Sequence, residues 1–277
     1  MKSIVILYHS DCEDGFGGAW AAWKKFGNRA TYIPIKHQTP PPPGLTNKTI
    51  FIIDIFYPIP VLKRLIRENK RIVALDHHKS REAETKFAPE YVFDLNRSGA
   101  VIAWNYFHPR KKVPHLLGVI QERDLWKFKT RDSKQLFAYL EMQPLDFHAW
   151  NIIAKQWENS KVRQEHGKLG EVILTFQHSL IGQLVKHAQK GTFQNKSVWI
   201  VNSPFFEDQV GNLLAKKGPH ITLVWRQYGG MIRVSLRSTK AVDVSKLAAP
   251  FGGGGHPQSA GFRIPANKPV PWRISKP

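Results

Sequence analysis

The chain has 277 residues, room for two domains with separate cores, and its 42% hydrophobic and 22% charged content is that of a globular protein. Its 41 lysines and arginines against 21 acids give a formal charge of +20, a field that draws polyanions, with adaptation to salt or heat as the competing explanation. The lone cysteine, Cys12, excludes an intramolecular disulfide and suits a reducing compartment.

Ile4 to Tyr8 is a continuous apolar run, the pattern of a parallel strand covered on both faces, and it leads into His9, Asp11 and Asp14. Gly15 to Phe26 reads as a helix whose small residues permit close packing on a sheet. Tyr32 to Ile35 reads as a second strand, followed by the rigid, extended run from Thr39 to Gly44. A strand over 50–55 carries Asp54, a helix over about 60–68 follows, and a strand over 71–75 runs into Asp76, His77 and His78. Strands alternating with helices predict βαβ units and a mainly parallel, doubly wound sheet.

Helices are expected over 97–107, with Asp94 as the cap, and over 114–126. From about 133 to 190 the pattern is helical without a strand signal. Beyond it, β-type runs at 197–201, 221–225 and 231–236, a Tyr228-Gly229-Gly230 turn, and helices over 207–216 and 243–250 describe a smaller mixed α/β domain. The tail after Ala266 is expected to fray. No stretch approaches the ~20 apolar residues of a membrane span, and the residues before His9 are too few for a secretory core. Cytoplasm is the expected location, with no membrane partner.

Hard oxygen and imidazole ligands thus follow the C-terminal ends of three strands, the edge where open α/β sheets bind ligands. Such a donor set suits Mn or Mg better than a structural zinc, which would want thiolates. A metal-dependent hydrolase is the reading. Taken singly, Asp54 could be a strand-end cap and Asp76 a turn carboxylate. Two adjacent histidines at a strand end are harder to dismiss.

These motifs resemble those of the DHH phosphoesterase superfamily. The run Gly252-Gly253-Gly254-Gly255-His256-Pro257-Gln258-Ser259-Ala260-Gly261, with Val234-Ser235-Leu236-Arg237-Ser238 upstream, is similar to the glycine-rich domain that accompanies it in one large branch, which includes the nanoRNase or oligoribonuclease type. The resemblance covers roughly 1–128 and 195–264. It implies a catalytic domain over 1–130, a helical connector over 131–190, a substrate-binding domain over 191–265 and a tail over 266–277, with the active site in the cleft between the domains.

It also implies two Mn2+ ions, Mg2+ being possible, with Asp54 bridging them. His9 would hold one ion; Asp14, His77 and Asp124 would hold the other. A water between the ions would attack, His78 would lean towards the substrate phosphate, and Asp76 would orient the histidine pair. The first motif departs from the commonest pattern, since Cys12 stands where an aspartate is usual. Either Asp11 or Cys12 completes that site; Asp11 is preferred, because a thiolate would favour Zn or Fe. Asp124 is preferred over Glu122 as the fourth-motif ligand, and Trp126 is placed to stack on a base.

In the second domain, Arg237, Ser238, Gly253, Gly254, Gly255 and His256 would grip the terminal nucleotide, with Ser235 and Asn202 as weaker candidates. Four glycines in a row could otherwise be a hinge. The expected substrate is short single-stranded RNA or DNA, bound by a monomer or homodimer. The absence of the further modules of the long-DNA exonucleases also points to short substrates. One alternative is a phosphoesterase of linear or cyclic dinucleotides or bisphosphorylated nucleotides. Another is a non-catalytic nucleic-acid-binding protein with a decayed first motif.

Overall fold

The structure, a computed structural model, describes residues 1–10, 12–37 and 39–275. Its elements in chain order are β1 (Ile4–His9), α1 (Glu13–Phe26), β2 (Ala30–Ile35), β3 (Thr49–Ile53), α2 (Ile59–Glu68), β4 (Arg71–Asp76), α3 (Glu82–Phe87) and β5 (Glu90–Phe93). Then come α4 (Gly99–Phe107), α5 (His115–Asp124), α6 (Ser133–Glu141), α7 (Phe147–Gln156) and α8 (Ser160–Lys186). The remainder is β6 (Gln189–Phe193), β7 (Lys196–Asn202), α9 (Glu207–Ala215), β8 (Ile221–Tyr228), β9 (Met231–Ser238), α10 (Val244–Ala248), β10 (Gly254–His256), β11 (Ser259–Pro265) and β12 (Trp272–Ile274). They form two units, Met1–Leu174 and Thr175–Pro277, the division falling within α8.

The first unit is built on a five-stranded sheet of order β2-β1-β3-β4-β5, parallel throughout. Its strands are apolar on both faces because both are covered. Ile6, Phe51, Ile53, Val73 and Leu75 face α1, α4 and α5, while Val5, Leu7, Ile50, Ile52 and Ile72 face Leu62 and Leu65 of α2. The sheet is therefore doubly wound, as the alternation of patterns predicts. Close packing of α1 depends on Gly18, where a Cβ would come within 2.4 Å of Ile53 Cγ2. Trp20 is 1% exposed and stacks on Trp104 at 5.6 Å, a core residue.

The second unit carries a seven-stranded sheet, β10-β11-β9-β8-β7-β6-β12, in which β7 and β8 pair in parallel and the other neighbours are antiparallel. Val244 and Leu247 of α10 cover one face; Val210 and Leu214 of α9, with Ile181 of α8, cover the other. Among the described residues no helix is long and apolar enough to cross a membrane.

Three expectations change. The cap of α4 is Ser98, whose hydroxyl accepts from Val101 N at 3.4 Å, whereas Asp94 accepts from Asn96 N two residues on. Residues 272–274 do not fray: β12 pairs with β6, and Trp272, 6% exposed, packs 5.9 Å from Trp225. A three-residue strand has no readable periodicity, and Trp272 is its one buried side chain. The end of the glycine run, for which no strand is expected, pairs as a short strand, Gly254 opposite Gly261 and His256 opposite Ser259.

Candidate metal centre

In the strand order 2-1-3-4-5 the topological switch point falls between β1 and β3, and ligands bind at such points beyond the strands' C-terminal ends. His9 is the last residue of β1, Asp54 follows β3 and Asp76 closes β4. Asp54 has φ +56°, a left-handed conformation that aspartate adopts more readily than most residues. Asp14, in the first turn of α1, is held by two amides of α4: Oδ2 accepts from Gly99 N at 2.7 Å and Oδ1 from Ala100 N at 3.0 Å. Helix N-terminal amides lack partners of their own and favour an anion. Gly99 admits this approach because a Cβ there would lie 2.8 Å from Asp54 Cβ and 3.0 Å from Asp14 Oδ2.

His77 is the hub. Its Nε2 lies 3.4 Å from Asp54 Oδ1, 3.5 Å from Asp124 Oδ2 and 3.6 Å from Asp14 Oδ2. On the other side of Asp54, Oδ2 lies 3.4 Å from His9 Nδ1 and 4.0 Å from Cys12 Sγ. Two of the donor groups among the described residues flank this carboxylate, Asp14 with His77 and Asp124, and His9 with Cys12 and Asp54, each within 4.8 Å. Asp54 reaches both. Separations of 3.4–3.6 Å are long for hydrogen bonds. Ligands sharing one ion at 2.0–2.2 Å stand roughly 3.0–3.4 Å apart, so these gaps fit coordination better. Asp54 Oδ1 is moreover buried and accepts no hydrogen bond, which is costly unless a cation completes it.

The charges say the same. Burial, then repulsion from Asp124 and Asp54, pushes the Asp14 carboxyl well above its usual range. Asp124 is raised by burial and by Asp54. Burial alone would lower His77, but Asp54, Asp124 and Asp14 outweigh it and lift the imidazole to about 10. Burial would raise Asp54, yet His77 and His9 hold it well below the carboxylate range. A knot of carboxylates, Asp14 and Asp54 buried and Asp124 at the surface, whose mutual repulsion raises Asp14 and Asp124, is a fitting host for divalent ions.

Asp76 sits behind the histidines. Its Oδ1 accepts from His77 N at 2.7 Å, from His78 N at 3.2 Å and from His78 Nδ1 at 2.7 Å. Against the cost of burial, Asp76 lifts His78 to about 9. Glu122 is used elsewhere, its carboxylate accepting from Thr130 N at 2.9 Å and from the Thr130 hydroxyl, so the acid that α5 brings to the site is Asp124. Asp11 lies outside the described residues. Cys12 is half-buried, and its desolvation, with Asp54 and Asp14 nearby, raises its thiol well above the usual value.

The second unit aligns its candidates by register: His256 stands opposite Ser259, and Ser259 opposite Arg237. Arg237 is 9% exposed, pairs with Asp208 and donates to Leu236 O at 2.7 Å. Ser238 Oγ donates to Val242 O at 2.6 Å. Asn202 donates to Trp225 O at 3.0 Å and Ser235 to Glu207 at 2.7 Å, so both serve internal partners. A Cβ on Gly253 would lie 2.2 Å from Gly261 O, which gives that glycine a packing reason.

Residues 206–270 match the DHHA1 domain family. Among curated proteins, the oligoribonuclease NrnB of Bacillus subtilis is 24% identical, over 73% of this chain and 55% of its own length. The chain belongs to the DHH phosphoesterase superfamily. Uncharacterized protein R106 of Acanthamoeba polyphaga mimivirus is 31% identical over 93% of this chain. The chain spans 66% of that relative's length, and just over half of NrnB's. Two solved structures share the DHH fold. The DHH domain of a member of a ribosomal protein family aligns with a TM-score of 0.63 at 13% identity, over 94% of this chain and 82% of that one. RecJ of Thermus thermophilus in complex with Mn2+ aligns with a TM-score of 0.51 at 15% identity, over 94% of this chain and 49% of that one.

Sequence reasoning missed two neighbours of this candidate site. The His37 ring lies 4.1 Å from that of His9 and 6.4 Å from that of His78; burial, then His9 and His78, holds it down to about 3. Its one sequence signal was its position just past the end of β2, on the same sheet edge. The Arg81 guanidinium lies 4.0 Å over Phe56, whose ring is 6.0 Å from His37. Arg81 carried no signal, because its contact is made across the chain.

Proposed function

We propose that this protein is a divalent-metal-dependent phosphodiesterase that removes mononucleotides from short single-stranded RNA or DNA. The observation that carries the reading is Asp54 set between two donor groups, His9 with Cys12 on one side and Asp14 with His77 and Asp124 on the other. Those residues would hold two ions, with Mn2+ favoured by the carboxylate and imidazole set and Mg2+ also accommodated. Bound divalent ions lower the pKa of water and neutralise charge on a reacting phosphodiester. Asp76 anchors His78 through Nδ1 and keeps the ring cationic at neutral pH, which suits donation from Nε2 to a phosphate oxygen. Arg237, Ser238, Gly253, Gly254, Gly255 and His256 of the DHHA1 domain would bind the terminal nucleotide, with Asp208 orienting the Arg237 guanidinium.

The substrate class is supported by the relative named as an oligoribonuclease and by the charge of +20, wider than a small nucleotide requires. The test is to incubate the protein and Mn2+ with end-labelled oligonucleotides of graded length and with cyclic dinucleotides. Stepwise shortening that EDTA abolishes is expected. Cleavage of dinucleotides alone would move the substrate to small nucleotides, and no cleavage of anything in Mn2+, Mg2+ or Zn2+ would refute the catalytic reading.

A further inference from the structure

The edge of the parallel sheet opposite the candidate metal centre is lined with cations. Four adjacent strands are entered through one: Arg29 precedes β2, Lys2 lies before β1, Lys48 precedes β3 and Lys70 precedes the β4 residue Arg71. Hydrogen bonds join them into a continuous strip. Lys70 N donates to Lys48 O at 2.9 Å, Lys48 Nζ to Met1 O at 3.0 Å, and Lys2 Nζ to Asn28 O. Arg29 Nη2 donates to Lys25 O at 3.0 Å, in the last turn of α1. Beside it Lys24 Nζ donates to Asn151 Oδ1 at 2.8 Å, one turn before Lys155 on α7. Burial, with Lys155 and Lys111 close by, holds the Lys24 amine below its usual value, so these charges crowd together.

No residue of the strip is in an ion pair with a carboxylate among the described residues; of the acids nearest in sequence, Glu68 pairs with Arg67 and Glu158 accepts from His115 N at 3.1 Å, while Glu90 pairs with Arg71. The bonds described all go to neutral oxygens, which leaves every positive charge uncompensated. Apart from the half-buried Lys48, the strip's side chains are exposed. Uncompensated cations on neighbouring strands, about 4.8 Å apart, match a ligand carrying regularly repeated negative charge. Met1 and Ile152 are the large apolar side chains exposed beside the strip, too few for the apolar face by which a basic surface enters a bilayer.

We propose that this edge is a second nucleic-acid-binding surface, on which the strip from Lys70 through Lys48, Lys2 and Arg29 to Lys25, Lys24 and Lys155 holds a phosphate backbone away from the metal centre. A six-residue strand such as β1 separates the two edges, roughly 20 Å at 3.3 Å per residue. A strand lying on the strip is therefore held without presenting its end for hydrolysis. The surface serves as a tether to longer RNA or DNA. It stands apart from the proposed activity, and its test reads binding without turnover.

The experiment compares the full chain with Lys24→Glu/Lys25→Glu/Lys155→Glu and with the milder triple glutamine variant, melting curves confirming the fold of each. Binding of fluorescent RNA of about 20 nucleotides, long enough to meet several cations, is titrated in EDTA at several salt concentrations. The variants are expected to lose about tenfold or more in affinity and to give a salt slope shallower by about 0.7 per lost phosphate contact. Dinucleotide turnover in Mn2+ should stay as in the parent. Unchanged affinity and slope in both variants would overturn the proposal. So would capture of anionic phospholipid vesicles, but not RNA, by the parent. If no substrate is turned over at all, the proposed activity fails while the binding comparison still decides this surface.

Discussion

Replacing Asp54 by asparagine tests the metal centre with the least disturbance to the fold. Asparagine keeps the shape and tolerates φ +56°, where alanine would add backbone strain to the loss of charge. The substitution removes the one anion that faces His77 Nε2 at 3.4 Å through Oδ1 and His9 Nδ1 at 3.4 Å through Oδ2. A partner that merely orients a ligand typically contributes 10–100-fold in metal affinity, so losing a carboxylate shared by both donor groups should cost about 100-fold or more. That corresponds to about 2.7 kcal/mol. The metal-free proteins should differ little, because the variant loses Asp54's attraction to the histidines together with its repulsion of Asp14 and Asp124. A change of 1 kcal/mol would move Tm by about 2–4 °C. Calorimetric titration with Mn2+ and metal analysis after gel filtration measure the first effect; thermal melts in EDTA measure the second. An asparagine variant that retains parental Mn2+ stoichiometry, affinity and turnover would refute the placing of Asp54 between the ions.

Other consequences are as direct. His77 at about 10 and His78 at about 9 sit above the ordinary imidazole value, so in the metal-free protein they favour folding below about 6.5 and that contribution is lost as pH climbs through 9 to 10. Ligation requires a bare imidazole nitrogen, so apparent Mn2+ affinity should rise between pH 7 and 9 by about one decade per pH unit for each proton released; titration in buffers of differing ionisation enthalpy counts those protons, and a flat profile contradicts the ligand role. Gly99→Ala, whose Cβ would press on Asp54 and Asp14, should cost about 1–3 kcal/mol by overpacking and lower turnover at least tenfold, read by urea denaturation and an oligonucleotide assay. Arg237→Ala should raise KM for an oligonucleotide by 10-fold or more, the loss of a charged hydrogen bond costing about 1.5–3 kcal/mol, while Mn2+ binding stays unchanged; an unaltered KM would remove Arg237 from substrate binding. Trp272→Ala should destabilise the second unit by about 3–5 kcal/mol, since the ring is 6% exposed, and a smaller loss in urea melts would show that β12 is not docked by it.

Both the doubly wound sheet and most of the donor side chains gathered at its C-terminal edge were legible in the sequence. Strands covered on both faces must be continuously apolar, so 4–8, 50–55 and 71–75 declared themselves, the second ending at Ile53 in the structure, and placed His9, Asp54 and His77 at one edge. Where an element is short or its partner distant, the sequence was mute: β5, β6, β10, β11 and β12 gave no strand signal, and their existence depends on the neighbours they pair with. Glu122 and Asp124 are chemically alike two residues apart on one helix, and only the loop that brings Thr130 to Glu122 separates their roles. Local chemistry determined which residue types end the strands, because apolar runs and the donor side chains that follow them are written within a few residues. Which oxygen faces which nitrogen, that Cys12 reaches Asp54, that His37 joins the site, and that cations before four strands form one strip were decided by tertiary structure. Those relations join residues far apart in the chain, and only register and packing bring them within a few ångströms.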